Sequence, residues 1–277
     1  MATSSFRKVE GLGNDFVLLD RREASVEQIE EELRELSARA PSLCNRRTGI
    51  GGDGILVLGP PRDPAHDASM WVINFDGSRP EMCGNGLRCV ALLAAGVGER
   101  TLVVDTDAGP RRCTVTAESE HYGDVEVDMG PGVSQGECTP EGSQGRPLVK
   151  VSMGNPHAVS ITSTYDDPEV LARSLGPSIE RDPEFPEGTN VEFVRVETDG
   201  SLRLWVWERG CGITDACGTG ACATAVAVAR EGLIPTDTPV VVRLPGGDLE
   251  ISVPADTEAG VRMRGPARVV YQGTLTA

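Results

Sequence analysis

The sequence is poor in lysine: only Lys8 and Lys150 occur among the 26 basic residues of its 277. Enzymes that use pyridoxal phosphate on amino acids need a Schiff-base lysine. Neither lysine lies in a turn suited to a phosphate, so we expect no such cofactor. Basic residues are also outnumbered by 42 acidic ones, giving a net charge of −16. Nucleic acids and anionic membranes need a basic face, so neither is an expected partner.

Long apolar runs are lacking too. Residues 1–10 have no apolar core and no segment approaches a membrane-spanning length, so we expect a cytoplasmic protein without a signal peptide. The eight cysteines are numerous enough for four disulfides, but in a chain of this kind reduced thiols are expected. Short C-x-x-C pairs with a matching partner pair are missing. Their absence disfavours both a metal site and a dithiol redox protein.

Two similar cysteine turns stand out instead. Cys83-Gly84-Asn85-Gly86 recurs 134 residues later as Cys217-Gly218-Thr219-Gly220, and each turn precedes a small, apolar, alanine-rich run. The repeat predicts a duplicated half-domain with one apolar helix in each half. The elements around these helices are mostly short strand-like segments without regular β-α-β alternation, which indicates an α+β fold.

A cysteine at the start of a helix meets unpaired backbone N–H groups and the positive end of the helix dipole, which favour thiolate over thiol. The same N–H groups bind carboxylates. Two such turns are therefore suited to inverting a stereocentre beside a carboxylate, with one sulfur as base and the other as acid. Taken singly, Cys83 or Cys217 could be an inert buried cysteine, and a disulfide between them would be an inactive oxidised form. Their duplication favours the catalytic interpretation.

Several local elements can also be predicted. Residues 25–39 form an amphipathic helix capped by Ser25 and ended by Pro41. Residues 168–175 form a second helix, with Gly176 placed to end it. Residues 131–147, rich in Gly, Pro, Ser and Gln, are expected to form a surface loop. Residues 49–54 match G-x-G-x-x-G, but polar residues precede this glycine motif and a strand-like run follows it, so we interpret it as a tight loop entering a strand and reject a dinucleotide site.

Motifs along nearly the whole chain resemble those of the diaminopimelate epimerase family, in the family's order. They are Gly11-Leu-Gly-Asn-Asp-Phe16, Arg46-Arg-Thr-Gly-Ile-Gly-Gly-Asp53, Asp76-Gly-Ser, Glu81-Met-Cys-Gly-Asn-Gly86 with Arg88-Cys89, Met153-Gly-Asn-Pro-His157, Gly188-Thr-Asn-Val191, Glu208-Arg-Gly210 and Ala216-Cys-Gly-Thr-Gly-Ala-Cys222.

This resemblance implies two pseudo-symmetric domains, each a curved mixed or antiparallel sheet wrapped around a central helix, with the site in the cleft between them. The expected boundaries are 1–120 plus 266–277, because the C-terminal strand would return to the first domain, and 121–265. The implied activity is that of an isomerase: cofactor-independent epimerisation of LL-diaminopimelate to the meso form, a step towards lysine and peptidoglycan. The implied partner is this small molecule. Whether the protein also forms a homodimer is left open.

The resemblance also implies roles for individual residues. Cys83 and Cys217 match the two acid/base thiols, and His157 and Glu208 match the residues that tune them. The remaining matches are implied to bind the substrate, either its carboxylate at the reacting carbon or the groups at its far end. They are Asn14, Asn74, Gly84, Asn85, Asn155, Asn190, Glu208, Arg209, Gly218 and Thr219. Arginine can grip a carboxylate with two hydrogen bonds, and glutamate can pair with an ammonium. Taken alone, His157 could be a neutral packed histidine and each asparagine a turn or cap residue.

Three features depart from the family pattern: Ile213 in place of an acidic residue, Arg79-Pro80 before the first cysteine turn, and the extra thiol Cys211. They leave room for altered substrate preference or regulation. A related racemase of the proline or hydroxyproline type is the main alternative, although such a substrate would leave Arg209 without a carboxylate partner. A non-catalytic binding module is a further alternative, but it would be expected to have lost one of the two thiols.

Overall fold

A computed structural model of the chain describes residues 4–275, and it divides into two compact units. The first comprises residues 1–127 and 265–277, and the second residues 128–264. The predicted boundary at residue 120 falls inside a hairpin, because the strand that follows it pairs with residues 113–119. Residues 1–3 and 276–277, the outer ends of the first predicted domain, lie outside the described residues. Within residues 4–275, no helix combines the length and apolar character needed to cross a membrane.

The N-terminal part of the first unit contains seven strands in sequence order and two helices. Its elements are β1 (Ser4–Gly11), β2 (Asn14–Asp20), α1 (Val26–Leu43), β3 (Gly54–Gly59), β4 (Ala68–Asn74), α2 (Gly84–Ala95), β5 (Gly98–Asp105), β6 (Arg111–Ser119) and β7 (Tyr122–Asp128).

The second unit contains nine strands, a short 3₁₀ turn at Glu141–Ser143 and two helices. Its elements are β8 (Val133–Cys138), β9 (Leu148–Ser152), β10 (Pro156–Ile161), α3 (Pro168–Glu180), β11 (Asn190–Val196), β12 (Leu202–Glu208), β13 (Gly212–Ile213), α4 (Gly218–Arg230), β14 (Val240–Leu244), β15 (Gly247–Ser252) and β16 (Arg262–Leu275). From Gly265 onwards, β16 belongs to the first unit.

In the first unit, strands β1 to β7 lie side by side in chain order, and β16 lies next to both β7 and β1. The sheet of this unit therefore closes through β16. Helix α2 contacts six of the strands, β1 to β6. Its residues from Gly84 to Leu92 are all buried, so it is the central helix of the sheet.

The second unit repeats this plan. Its strands run in the order β16, β15, β14, β12, β11, β10, β9, β8, and α4 contacts seven of them. In each unit two pairs of strands are parallel, β2–β3 and β4–β5 in the first, β10–β11 and β12–β14 in the second. Each parallel pair is joined by a helix: α1 and α3 pack on the sheets, and α2 and α4 are the central helices. The matching connections confirm two pseudo-symmetric α+β domains.

Helix α1 begins as predicted but ends later. Ser25 is its N-cap and forms a capping box with Gln28. Pro41 does not end it, because the helix continues to Leu43 with Ala40 and Leu43 buried. Burial of these side chains against the apolar cluster of the first unit offsets the roughly 3 kcal/mol that a proline costs inside a helix.

Helix α3 also extends beyond its predicted end. Gly176 lies inside it, and the helix runs on to Glu180. A methyl group on Gly176 would lie 2.6 Å from the Cβ and Cγ atoms of Trp207. Glycine is therefore present for close packing against β12, and the buried Ile179 in the next turn extends the apolar face.

The prediction of a surface loop at residues 131–147 is partly wrong, because this segment contains β8 and the 3₁₀ turn. β8 pairs with β9 alone and is mostly exposed, with an irregularity between Ser134 and Glu137. An exposed edge strand needs no alternation of apolar residues, so its sequence gave no strand signal. By contrast, the glycine-rich segment before β3 is a loop that enters a strand, as predicted.

Candidate active site

Cys83 occupies the N-cap position of α2, with extended backbone angles of φ −137° and ψ 116°. Its carbonyl accepts the first helical hydrogen bond, from Leu87 N–H at 2.8 Å. Gly84 and Asn85 follow in the first turn, where backbone N–H groups have no partner within the helix. Gly86 lets the helix approach the sheet, because a methyl group there would lie 2.8 Å from Leu56. The predicted turn geometry is therefore present in the first unit.

Amide side chains lie next to the Cys83 sulfur. Its Sγ is 3.7 Å from Asn14 Oδ1, and Asn85 Nδ2 donates to the same oxygen at 3.2 Å. Asn14 Nδ2 in turn donates to Asp53 Oδ2 at 2.8 Å, which fixes the orientation of the Asn14 amide. Three of the predicted residues, Asn14, Cys83 and Asn85, thus lie together.

Asp53 was not among the predicted site residues, although it ends one of the recognised motifs. It also accepts a hydrogen bond from Asp15 N–H and pairs with Arg46. Arg46 and the buried Lys8 both pair with Asp15. Burial raises the pKa of Asp15, but these two cations outweigh it and the pKa is lowered. This charged cluster anchors the hairpin that carries Asn14.

Asn74 lies at the end of β4, where its Nδ2 donates to Ser78 Oγ at 2.9 Å. Its predicted role in substrate binding stays a prediction. The unusual Arg79 before the first cysteine turn pairs with Asp107 at 3.3 Å and with Glu30 at 3.6 Å.

Cys217 is the N-cap of α4, with φ −122° and ψ 106°, so the two cysteines hold equivalent positions in their units. Its sulfur accepts from Gly220 N–H at 3.4 Å and lies 3.7 Å from Thr219 Oγ1. A thiolate at this position would accept both hydrogen bonds, and the positive end of the helix dipole would favour it.

Two carboxyl groups face Cys217. Glu208 accepts a hydrogen bond from Thr214 Oγ1, and its charge acts on the Cys217 thiol. Glu192 comes from the neighbouring strand β11, and a methyl group on Gly220 would lie 2.9 Å from Glu192 Oε1 and 3.1 Å from Cys217 Sγ. Burial raises the pKa of Cys217 well above its ordinary value, and the charges of Glu208 and Glu192 raise it further. Burial likewise raises the pKa of both carboxyl groups.

His157 is buried between Glu192 and Asn155. Its Nδ1 lies 2.7 Å from Glu192 Oε1 and its Nε2 lies 3.0 Å from Asn155 Oδ1. Asn155 Nδ2 donates to Thr219 Oγ1 at 3.5 Å. Sequence reasoning identified His157, Asn155 and Thr219 but missed Glu192. Its signal was a lone carboxylate between Val191 and Phe193, in the buried part of β11.

Asn190 and Arg209 lie together in the same unit. Asn190 Oδ1 accepts from Arg209 N–H at 3.0 Å, and its Nδ2 donates to Pro156 O at 3.0 Å. The Arg209 side chain is exposed, packs over Gly188 and donates to Glu187 O at 3.2 Å. Ile213, the departure from the family pattern, pairs with Trp207 as part of β13.

All eight cysteines are thiols in the structure. Among residues 4–275, no group of three or more His, Cys, Asp or Glu side chains is arranged to hold a metal ion.

Comparison with solved structures supports the fold. A probable proline racemase from Agrobacterium radiobacter K84 superposes with a TM-score of 0.72 at 18% identity, covering 99% of this chain and 93% of that one. A hydroxyproline epimerase from Agrobacterium vitis gives a TM-score of 0.70, also at 18% identity, covering 99% and 92%. At this level of identity the likeness concerns the fold alone.

Sequence comparison is more specific. The chain is 41% identical to a diaminopimelate epimerase from Desulfitobacterium hafniense, covering 97% of this chain and 96% of the relative. It is 42% identical to one from Desulforudis audaxviator, covering 97% and 98%. The family model described as diaminopimelate epimerase matches residues 6–134 and 149–270. These matches span both units and both cysteine turns, and the chain therefore belongs to the diaminopimelate epimerase family.

Proposed function

We propose that the protein is an isomerase that converts LL-diaminopimelate to meso-diaminopimelate without a cofactor, in the synthesis of lysine and peptidoglycan precursors. The observation that carries the proposal is the duplicated N-cap cysteine: Cys83 and Cys217 begin the central helices of two units with the same topology. The family membership of the whole chain supports the same activity.

In the proposed reaction, one sulfur, as thiolate, removes the α-proton and becomes a thiol. The electrons of the broken C–H bond pass into the substrate carboxylate. The other sulfur, as thiol, gives its proton to the opposite face of the carbon and becomes the thiolate. The two thiols thus exchange protonation states, and the reverse reaction restores them without any outside oxidant or reductant.

Stabilising the carbanion is the difficult part of this reaction, because an α-hydrogen is a weak acid. We assign this role to the backbone N–H groups of Gly84 and Asn85 in α2 and of Gly218 and Thr219 in α4. Helix N-termini favour negative charge on a bound carboxylate, and the charge grows as the proton leaves. The interaction is therefore stronger in the transition state than with the bound substrate.

The remaining predicted residues are proposed to recognise the two amino-acid heads of the substrate. Arg209 would bind the distal carboxylate and Glu208 an ammonium group, and amides would fill the other hydrogen bonds: Asn14, Asn74, Asn155 and Asn190. Glu208 and His157 are further proposed to tune the thiols. Both thiols must stay reduced to act, which fits an enzyme of the reducing cytoplasm.

The test is turnover in deuterated water without added cofactor. We expect wild-type protein to convert LL-diaminopimelate to the meso form and to place solvent deuterium at the α-carbon, detected by mass spectrometry. Cys83→Ala and Cys217→Ala should each lower the rate by at least about 10²-fold, the usual minimum for loss of a positioned acid or base. Cys138→Ala, which removes a half-buried thiol of β8, is the matched control and should keep activity.

Normal turnover by either catalytic variant would refute the two-base proposal. A panel containing diaminopimelate, proline and glutamate tests the substrate. Preferential turnover of proline would favour the alternative racemase, the activity named for one of the structural neighbours.

A further inference from the structure

A buried carboxylate holds the turn that carries Arg209. This turn joins β12 to β13, and Trp207 lies opposite Ile213 where the two strands pair. Glu180, the last residue of α3, accepts from Gly210 N–H through Oε1 at 2.8 Å and from the Trp207 indole N–H through Oε2 at 2.7 Å. Only 8% of the Glu180 surface is exposed. Both of its oxygens therefore bind the same hairpin, on either side of Arg209.

The two partners of Glu180 require an acceptor at each of its oxygens. A backbone N–H and an indole N–H can only donate, and an ionised carboxylate accepts through both oxygens. A glutamine in this place would turn its NH₂ group towards one of the two donors, whichever way its amide is oriented. Buried donors left without an acceptor are costly. The contacts of Glu180 thus require a carboxyl group rather than an amide.

A second side chain holds the peptide group that precedes Arg209. Asn190 Oδ1 accepts from Arg209 N–H at 3.0 Å, and Asn190 Nδ2 donates to Pro156 O, which fixes the orientation of the amide. The two planar peptide groups that flank the Arg209 Cα atom are therefore both held, one by Asn190 and one by Glu180. The φ and ψ angles of Arg209 consequently have little freedom, and the direction in which its side chain leaves the backbone is set.

The Arg209 side chain runs from there over a glycine. A methyl group on Gly188 would lie 3.1 Å from Arg209 Cδ, and Arg209 Nη1 donates to Glu187 O at 3.2 Å. This hydrogen bond uses one of the five N–H donors of the guanidinium, which leaves a pair for two parallel hydrogen bonds to a carboxylate. Arg209 is exposed, so the backbone and these two contacts decide where its guanidinium points.

We propose that Glu180 is a positioning residue for the substrate: by holding Gly210 N–H, it directs the Arg209 guanidinium towards the distal carboxylate. The inference rests on the proposed function in taking Arg209 as the group that binds this carboxylate. An arginine held in place before the substrate arrives loses less conformational freedom on binding than a mobile one. Glu180 should therefore affect the affinity for the substrate and leave the proton transfers at the thiols almost unchanged.

The experiment measures KM and kcat for the epimerisation of diaminopimelate. Glu180→Leu removes both acceptors. We expect KM to rise about fivefold, the cost of ordering one long side chain on binding, while kcat changes by less than about twofold. Trp207→Phe is the matched control, because it removes the indole donor, leaves Gly210 N–H on Glu180 and should keep the wild-type KM. A wild-type KM in Glu180→Leu would overturn the inference, and so would an equal rise in Trp207→Phe.

A first double variant separates the hydrogen bond of Glu180 from its charge. In Glu180→Gln with Trp207→Phe, the glutamine oxygen can accept from Gly210 N–H, and no indole donor remains opposite its NH₂ group. This variant should therefore recover the wild-type KM. A KM as high as that of Glu180→Leu would overturn the inference, because the charge of Glu180 would then be the property that matters.

A second double variant separates the positioning of Arg209 from general damage to the hairpin. Arg209→Ala should raise KM, and adding Glu180→Leu to it should raise KM no further, because the side chain that Glu180 directs is already gone. Additive increases would contradict the inference, since Glu180 would then act on the substrate by a route that does not pass through Arg209.

Hydrogen–deuterium exchange provides a measurement that needs no substrate. In peptides covering residues 207–213, exchange should be faster in Glu180→Leu than in the wild type, and Glu180→Gln with Trp207→Phe should restore the slower rate. Unchanged exchange in Glu180→Leu would overturn the inference even in an active enzyme. A wild-type protein that does not epimerise diaminopimelate would refute the proposed function, and the exchange rates would still show whether Glu180 holds the turn.

Discussion

Removing His157 should make the stability of the protein depend on pH in a predictable direction. The Glu192–His157 pair is fully buried, and burial already raises the pKa of Glu192, with the charge of His157 acting against the rise. In His157→Leu the carboxyl group loses this cation while its burial stays. In the folded variant, Glu192 is then either an isolated buried charge or an uncharged carboxylic acid.

The magnitude follows from these two states. Leaving one partner of a buried ion pair alone costs about 3–5 kcal/mol, a large share of the roughly 5–15 kcal/mol that stabilises a typical domain. If Glu192 takes up a proton, the cost falls to about 1–3 kcal/mol, that of an unsatisfied polar group. The variant should therefore fold, and its free energy of unfolding should be much smaller at high pH than at low pH.

The sign can be worked out from linkage. An unfolded glutamate ionises near pH ~4.3, whereas the raised pKa in the folded variant keeps a proton bound at higher pH. The folded state then binds more protons than the unfolded state, so the free energy of unfolding falls as pH rises. The slope approaches about 1.4 kcal/mol per pH unit until the folded-state pKa is passed.

Urea unfolding between about pH 6 and about pH 8.5 measures this slope. Two of the three tryptophans, Trp205 and Trp207, lie on β12 of the same unit and provide the fluorescence signal. His157→Leu combined with Glu192→Leu removes both polar partners and should recover most of the lost stability. A single variant that is equally destabilised at both pH values, together with a double variant that recovers nothing, would refute the reasoning.

Two further predictions concern packing and thiol reactivity. Gly176→Ala should destabilise the protein by about 1–3 kcal/mol despite the better helix propensity of alanine, because the new methyl group would lie 2.6 Å from Trp207. The control is Ser174→Ala on the exposed face of the same helix. It should change the free energy of unfolding by less than about 0.5 kcal/mol. Burial raises the pKa of Cys44 to about 11 and that of Cys89 to about 12. At neutral pH both Cys44 and Cys89 should resist iodoacetamide, while the exposed Cys211 between β12 and β13 is labelled. Labelling of Cys44 or Cys89 as early as Cys211 would contradict this.

Much of the fold could be predicted because local signals and tertiary packing agree. The cysteine turns at Cys83 and Cys217 begin buried helices, and Ser25 caps α1, as their sequences indicate. Pro41 and Gly176 misled the prediction of helix ends because both are helix breakers in an isolated segment. In the folded chain, neighbouring apolar side chains and the Trp207 ring outweigh that local preference.

The site was only partly predictable for a different reason. Motif residues such as Asn14 and Thr219 can be found from their positions beside the cysteines. Asp53 and Glu192 contact predicted residues from other strands and loops, and they lie 39 and 35 residues from their partners Asn14 and His157. Such partners become visible only when strand register brings them together, as the pairing of His157 with Asn190 in the parallel strands β10 and β11 does.

The long strand β16 affects how the chain folds during its synthesis. Its end pairs with β1, so Ser4 lies opposite Leu275 in the register. The first unit is thus completed by residues that are synthesised only after the entire second unit has been made. Until then β1 and β7 each expose an edge to which another chain can add. Nascent chains that stall at residue 264 should therefore be aggregation-prone, even though the second unit is then complete in sequence.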